Sequence, residues 1–225
     1  MKQYYVVIDL EFVKVPRNMR KIYKRGTETV QIGAVLLDED FNIIDRFESF
    51  ISPKYGWLDS EIMTLTGIKK KMLYNAPDFY TAMKRFNDWI EEHIKNGDTV
   101  KFVEWSDSDQ RQLEYEMVFH GFDDTRENVL FSGWIDCQTL FGAFMNEPNR
   151  RYALQDALSI TVIDQYDERM HDALADAYNT AILFGALMKK ELRLSPYLTK
   201  KEAETTKLLS CTLGDLFGNA LFQHV

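Results

Sequence analysis

Cysteine is nearly absent: Cys137 and Cys211 are the only two among 225 residues. Two thiols this far apart make neither a disulfide framework nor a zinc-ligand pattern, and they fit a reducing, cytoplasmic setting. Long apolar runs are also missing. None approaches the roughly 18–20 residues that a spanning helix needs, which excludes a membrane partner. The N-terminal apolar run is short and ends in Asp9, so no secretory signal is legible there. Repeats and low-complexity tracts are absent. Positive charge is in deficit, with 27 Lys and Arg against 35 Asp and Glu and a net charge of −8. On its own that balance argues against a nucleic-acid binder. What remains is an ordinary globular composition, 45% hydrophobic and 28% charged, with enough apolar material for a substantial core.

The charge deficit is uneven. Between Lys14 and Arg25 stand six basic residues and no acidic one: Lys14, Arg17, Arg20, Lys21, Lys24 and Arg25. Lys69-Lys70-Lys71 and Arg150-Arg151 form two further basic runs. Taken singly, each run reads as a solvated loop. Together they allow an acidic chain to hold metals in one place and phosphates in another.

The stretch from Tyr4 to Phe12 is rich in β-branched and aromatic residues and reads as a buried strand. Asp9 and Glu11 sit at its C-terminal end, two apart and therefore on one face. Two carboxylates projecting together suit a hard divalent cation. Read from this stretch alone, they serve equally as a solvated strand end. Thr29–Leu37 and Phe41–Ile51 follow as strands, closing a three-stranded meander. A short helix spans Ser60 to Leu65, with Gly67 suited to its C-cap. A long amphipathic helix runs from Ala76 to Ile94, with Phe79, Met83, Phe86, Trp89 and Ile90 toward the core. A fourth strand covers Thr99–Glu104, and a helix opening at Asp107 or Asp109 ends at Gly121. Asn128–Ser132 reads as the fifth strand. Helices are expected over Cys137–Asn146, Leu154–Thr161 and Asp172–Lys190. The pattern predicts an α/β fold, a five-stranded mixed sheet flanked by helices. Residues 1–190 form the domain. Residues 191–225 form a helical extension, amphipathic over Lys200–Phe222, that packs on the core or mediates homo-oligomerisation.

Two further places join acidic side chains to the ends of elements. Trp105-Ser106-Asp107-Ser108-Asp109 follows the fourth strand. His171 and Asp176 flank the start of the last core helix. They are five apart, about 140° out of register on one helix, which puts His171 in the preceding loop and leaves Asp172 as N-cap. A loop histidine beside metal is suited to general-base work.

In this order the motifs resemble the DEDDh 3′–5′ exonucleases, which share an RNase H-like fold and include proofreading domains. Asp9-Leu10-Glu11 is similar to the family's D-x-E, and His171-x4-Asp176 to its H-x4-D. Asp109 matches the second-motif aspartate, with Asp107 as the alternative. Gln31-Ile32-Gly33-Ala34-Val35, Leu65-Thr66-Gly67-Ile68 and Ala76-Pro77-x-Phe79 resemble supporting segments. Within the family the chain looks most like stand-alone bacterial KapD-like exonucleases. It departs from minimal members in the longer, basic Val13–Thr27 segment and after Lys190.

The resemblance implies two-metal hydrolysis with Mg²⁺ or Mn²⁺. Asp9, Glu11, Asp109 and Asp176 are the metal ligands, with Asp9 shared by both ions, and His171 is the base. Leu10, Phe12, Leu65, Thr66, Gly67 and Ile68 hold the terminal nucleotide. The implied partner is single-stranded RNA or DNA with a free 3′ end, and the product a nucleoside 5′-monophosphate. The rival reading is a catalytically silent regulatory or polymerase-accessory protein of the same fold.

Overall fold

The protein is described as a computed structural model covering residues 1–95, 97–122, 133–166 and 171–195. Its centre is β1, Gln3–Lys14. This strand pairs antiparallel with β2, Thr27–Leu37, and parallel with β4, Thr99–Glu104. β3, Ile43–Phe50, continues the meander, and β5, Trp134–Asp136, lies parallel to β4. The sheet order is β3-β2-β1-β4-β5, the mixed five-stranded sheet expected. The expected fifth-strand range, Asn128–Ser132, lies outside the described residues, as does the expected helix over Lys200–Phe222.

The helices follow in chain order: α1, Arg20–Tyr23; α2, Ser60–Thr66; α3, Lys70–Tyr74; α4, Phe79–His93; α5, Ser108–Phe119; α6, Cys137–Phe144; α7, Leu154–Ile160; and α8, Ala173–Met188. The two shortest, α1 and α3, fall in segments whose sequence carries no helical period. Alternation along β1 explains the layers. Val6, Ile8 and Leu10 join Ile32 and Ala34 of β2 beneath Phe79, Met83, Phe86 and Trp89 of α4. Val7 faces the other way, with Val35, Leu37 and Val103, beneath Ala177, Ala181 and Phe184 of α8. Fully burying one such aromatic or branched side chain is worth about 1.5–3 kcal/mol, so both helices are held firmly on the sheet. Cys137 is a buried free thiol at the start of α6. Among the described residues no helix is long and apolar enough to cross a membrane.

The basic excursion between β1 and β2 is not a loose loop. Tyr23 carries its anchor, fully buried against the rings of Tyr55, Tyr115 and Phe119. Its hydroxyl donates to Glu116 of α5. Thr29 donates to the same carboxylate through its hydroxyl and, at 3.1 Å, through its amide.

Candidate active site

Because β1 and β4 run parallel, their C-terminal ends share one edge of the sheet, and side chains from both meet there. Asp9 and Glu11 continue the Val7 face of β1, so they emerge just where the start of α8 crosses the sheet. A register irregularity between Glu11 and Phe12 interrupts the ladder directly beyond the pair, before pairing resumes from Phe12 to Lys14, a position where bulges commonly re-aim side chains.

The approach of α8 depends on β2. Gly33 lies opposite Asp9 in the register, and Gln31 opposite Glu11. A Cβ at Gly33 would fall onto the peptide joining Ala173 to Leu174. Glycine therefore lets the first turn of α8 rest on the backbone of β2. Gln31 Oε1 accepts from the Ala173 amide at 3.4 Å. Asp172 is the N-cap, its carboxylate accepting from the Ala175 amide at 3.1 Å, as the spacing predicts. Such a cap is worth about 1 kcal/mol. Asp176 then falls in the first turn, where the helix dipole favours negative charge.

The start of α5 places the two second-motif candidates differently. Asp109 lies in the first turn of that helix, 5% exposed, and its carboxylate accepts from the backbone amide of Leu10. Asp107, at the N-cap position, turns outward and pairs with Arg111. Asp109, not Asp107, is thus brought beside Asp9.

Four carboxylates converge: Asp9, Glu11, Asp109 and Asp176. Burial pushes all of them up, and repulsion from neighbouring carboxylates adds to it. Burial is the largest cause for Glu11, with Asp176 and Asp109 next, and carries it to about 8. Burial outweighs the Leu10 amide at Asp109, which reaches about 7. Burial likewise outweighs the His171 amide at Asp176, which reaches about 6. Asp9 is raised well above the usual range, by burial first and then by Asp109, Asp176, Glu11 and Asp172. Among the described residues no lysine or arginine salt-bridges any of the four.

His171 occupies the loop before α8 with φ of 60°, a left-handed conformation that histidine tolerates better than most residues. That turn aims its amide at Asp176 Oδ2, 3.1 Å away. The other oxygen, Asp176 Oδ1, is buried with no hydrogen-bond partner. An orphaned buried carboxylate oxygen is costly unless something fills its lone pairs. Glu11, His171 and Asp176 each offer a ligand atom within 4.8 Å of the others. Hard oxygen donors, excess negative charge and an unfilled acceptor together fit a divalent cation.

His171 also faces a cleft of about 680 Å³ lined by Ser60, Glu61, Thr64 and Leu65 of α2. Of the expected nucleotide-contact residues, Leu65 opens into this cleft. Gly67 ends α2 in the left-handed conformation, its amide bonded to Met63 O at 3.1 Å. Thr66 and Ile68 are buried behind it, with the Ile68 amide on Thr66 Oγ1 at 3.1 Å. Leu10 points into the core beneath α4 and offers the site its backbone amide, while Phe12 packs partly buried against the same core.

Three residues have roles that the sequence alone does not assign. Gly33 and Gln31, there only part of a strand segment, seat α8, yet nothing near them in the chain signals it. Glu104, fully buried at the end of β4, accepts the Gln110 amide at 2.8 Å and is pushed to about 8 by burial. Its signal was a charged residue closing an apolar strand, the same signal carried by Asp9.

The exonuclease family model (RNase_T) matches residues 6–184 of the chain. ERI1 exoribonuclease 2 of Danio rerio is 26% identical over 219 residues, covering 89% of this chain and 38% of that protein. DNA polymerase III PolC-type of Bacillus cereus is 35% identical over 89 residues, covering 40% of this chain and 6% of that protein. The chain therefore spans well under half the length of both relatives. Among solved structures, the nuclease domain of 3′hExo, a DEDDh family member bound to rAMP, matches with a TM-score of 0.68 at 22% identity. That match covers 87% of this chain and 97% of that one. Cell-death related nuclease 4 (CRN-4) gives a TM-score of 0.66 at 17% identity, over 91% and 76% of the two chains. At these identities the structural likeness establishes the fold.

Proposed function

The chain belongs to the exonuclease family whose model spans residues 6–184, and from that premise we propose a metal-dependent 3′–5′ exonuclease of the DEDDh kind acting on single-stranded RNA or DNA. The observation that carries this reading is the cluster of four acids with the unfilled Asp176 Oδ1. Asp9, Glu11, Asp109 and Asp176 would hold two Mg²⁺ or Mn²⁺ ions. Asp9, with Glu11, Asp109 and Asp176 around it, would be the ligand common to both, as the family resemblance implies. When bound, such ions polarise the scissile phosphate and supply an acidified water at neutral pH.

The chain's own residues do the rest. His171, exposed at the mouth of the cleft, takes the proton of the attacking water. Asp176 fixes the loop that presents it, through the His171 amide. Leu65 would meet the terminal nucleotide at the cleft wall, with Thr66, Gly67, Ile68, Leu10 and Phe12 shaping and supporting that wall from behind, through apolar surface and backbone rather than base edges. Such contacts tolerate any sequence. The docked basic excursion from Lys14 to Arg25 meets the phosphates behind it. Four acids balance two dications, so the phosphodiester is attracted only by the loaded site. The product is a nucleoside 5′-monophosphate, and residues 1–190 carry the activity.

A strand labelled at its 5′ end tests this directly. In Mg²⁺ or Mn²⁺ it should shorten one nucleotide at a time from the 3′ end, and a chelator should stop it. Asp9→Ala should abolish release while the circular dichroism spectrum is retained. Full activity in that variant, or internal cuts without 3′ shortening, would overturn the assignment.

A further inference from the structure

A second cleft, of about 480 Å³, lies on the far side of α2's N-terminus and is lined by Trp57, Leu58, Asp59, Lys70 and Tyr74 among others. Two of its aromatic rings face solvent: Trp57 is 59% exposed and Tyr74 85%. Large aromatics left open together on a cleft mark a binding surface more often than chance.

The rings stand on rigid footing. The Trp57 amide donates to Lys14 O at 3.3 Å, bridging the turn to the end of β1. Leu58 and Leu73, neighbours in sequence of the two rings, are buried in one small core with Val13, Val30 and Ile68. The backbone beneath both rings is thus held in place before any ligand arrives, which lowers the entropic cost of binding.

The two clefts are continuous in the chain. Asp59 lines the outer one and Glu61 the inner one beside His171, and Lys14 pairs with both carboxylates. The surrounding charge selects the occupant. Lys69, Lys70 and Lys71 are exposed and pair with no carboxylate among the described residues. The one acid in the outer cleft, Asp59, is already engaged by Lys14 and by the Ile62 amide at 2.9 Å. Lys70 lines the cleft, with Lys69 and Lys71 flanking it in the chain, and open aromatic faces beside an unpaired lysine suit bases joined by phosphates.

We propose that the Trp57–Tyr74 cleft is a stacking subsite for bases upstream of the 3′-terminal nucleotide of a single strand, with Lys69, Lys70 and Lys71 meeting its phosphates. The proposal rests on the nuclease reading above and adds to it a length preference. A dinucleotide engages only the inner cleft, while a decanucleotide engages both.

Two measurements test it. The ratio of kcat/KM for a decanucleotide over a dinucleotide should fall roughly five- to thirtyfold in Trp57→Ala and in Tyr74→Ala, through KM rather than kcat. Trp57→Phe, which keeps an aromatic face, should restore most of the ratio. Separately, a hydrolysis-resistant phosphorothioate decanucleotide should quench the fluorescence of the wild-type protein, and Trp57→Ala should lose that quenching. An unchanged length ratio in both alanine variants, with quenching retained in Trp57→Ala, would overturn the subsite. Failure of the nuclease reading looks different: no strand yields product in any variant, while the quenching still reports whether this cleft binds.

Discussion

At the scale of the residue, the proposed mechanism divides the site into groups that hold charge and one that would move a proton. His171 differs from the four acids in every physical respect. It is exposed, it sits on a left-handed turn, and its amide holds Asp176 while its ring stands within 4.8 Å of the Glu11 and Asp176 carboxylates. If the ring acts as the base and not as a ligand, removing it should leave metal binding nearly intact, because four carboxylates remain, and cost mainly the chemical step. His171→Ala is expected to lower kcat by about 10²–10⁴-fold, the usual worth of a general base. Its calorimetric affinity for Mn²⁺ should stay within a few-fold of wild type. Asp176→Asn should do the reverse and lose metal affinity first. A His171→Ala variant that fails to bind Mn²⁺ would make the histidine a ligand rather than a base. The choice between Asp107 and Asp109 also belongs to this scale. Both residues stand in a polar run where no periodicity separates them, so the sequence left them open. Three-dimensional placement separates them: one pairs with Arg111 on the outside, and the other accepts the Leu10 amide inside.

At the scale of the element, much was legible, because the signals were local. Alternation placed Asp9 and Glu11 on one face of a strand. The apolar period placed Phe79, Met83, Phe86, Trp89 and Ile90 in the core, where all five are buried. Capping chemistry placed Asp172 before α8 and Gly67 after α2. What stayed hidden depended on segments distant in sequence. A glycine in the middle of an apolar strand reads as a weak spot, and only the position of α8, 140 residues later, gives Gly33 its purpose. Likewise the exposure of Trp57 has no local signal in the sequence. The helix α3 is too short to show a period. Gly33 makes the long-range dependence measurable. Adding one methyl there forces the start of α8 away from β2, and backbone cannot yield as a flexible side chain does. Gly33→Ala should cost about 1–3 kcal/mol of stability, in the range of overpacked cores. Because Asp176 and His171 ride on the displaced segment, activity at temperatures where the variant remains folded should fall by at least about tenfold. A variant with native stability and native activity would show that α8 does not need that contact.

At the scale of the whole molecule, an acidic chain must tolerate a knot of like charge at its centre, and that tolerance depends on pH. Glu11, Asp109 and Asp176 hold their protons to about 8, 7 and 6 in the folded chain, and Asp9 is raised as well. In the unfolded chain these groups ionise near 4. Between about 4 and 8 the native state therefore binds more protons than the unfolded one, so stability falls as pH rises across that window. Below it both states are protonated and the effect vanishes; above it the full penalty applies. Glu104 and Glu116, raised by burial to about 8 and about 7, add a slope of the same sign. Those two are separable, because a cation held by the four clustered acids relieves only that cluster. Metal binds the ionised site of the native state and stabilises it by mass action. In EDTA the Tm should thus drop from pH 5 to pH 8.5. Millimolar Mn²⁺ should recover more than about 3 °C of the drop at pH 8.5 and little at pH 5. Asp9→Asn, which removes one charge of the knot, should be more stable than wild type in EDTA at the higher pH and gain less from Mn²⁺. The three profiles together distinguish a metal site from a buried acidic cluster with no cation to hold. A cluster without a metal gives the same falling curve in EDTA and in Mn²⁺, and only a metal site separates the two curves progressively as the carboxyls ionise.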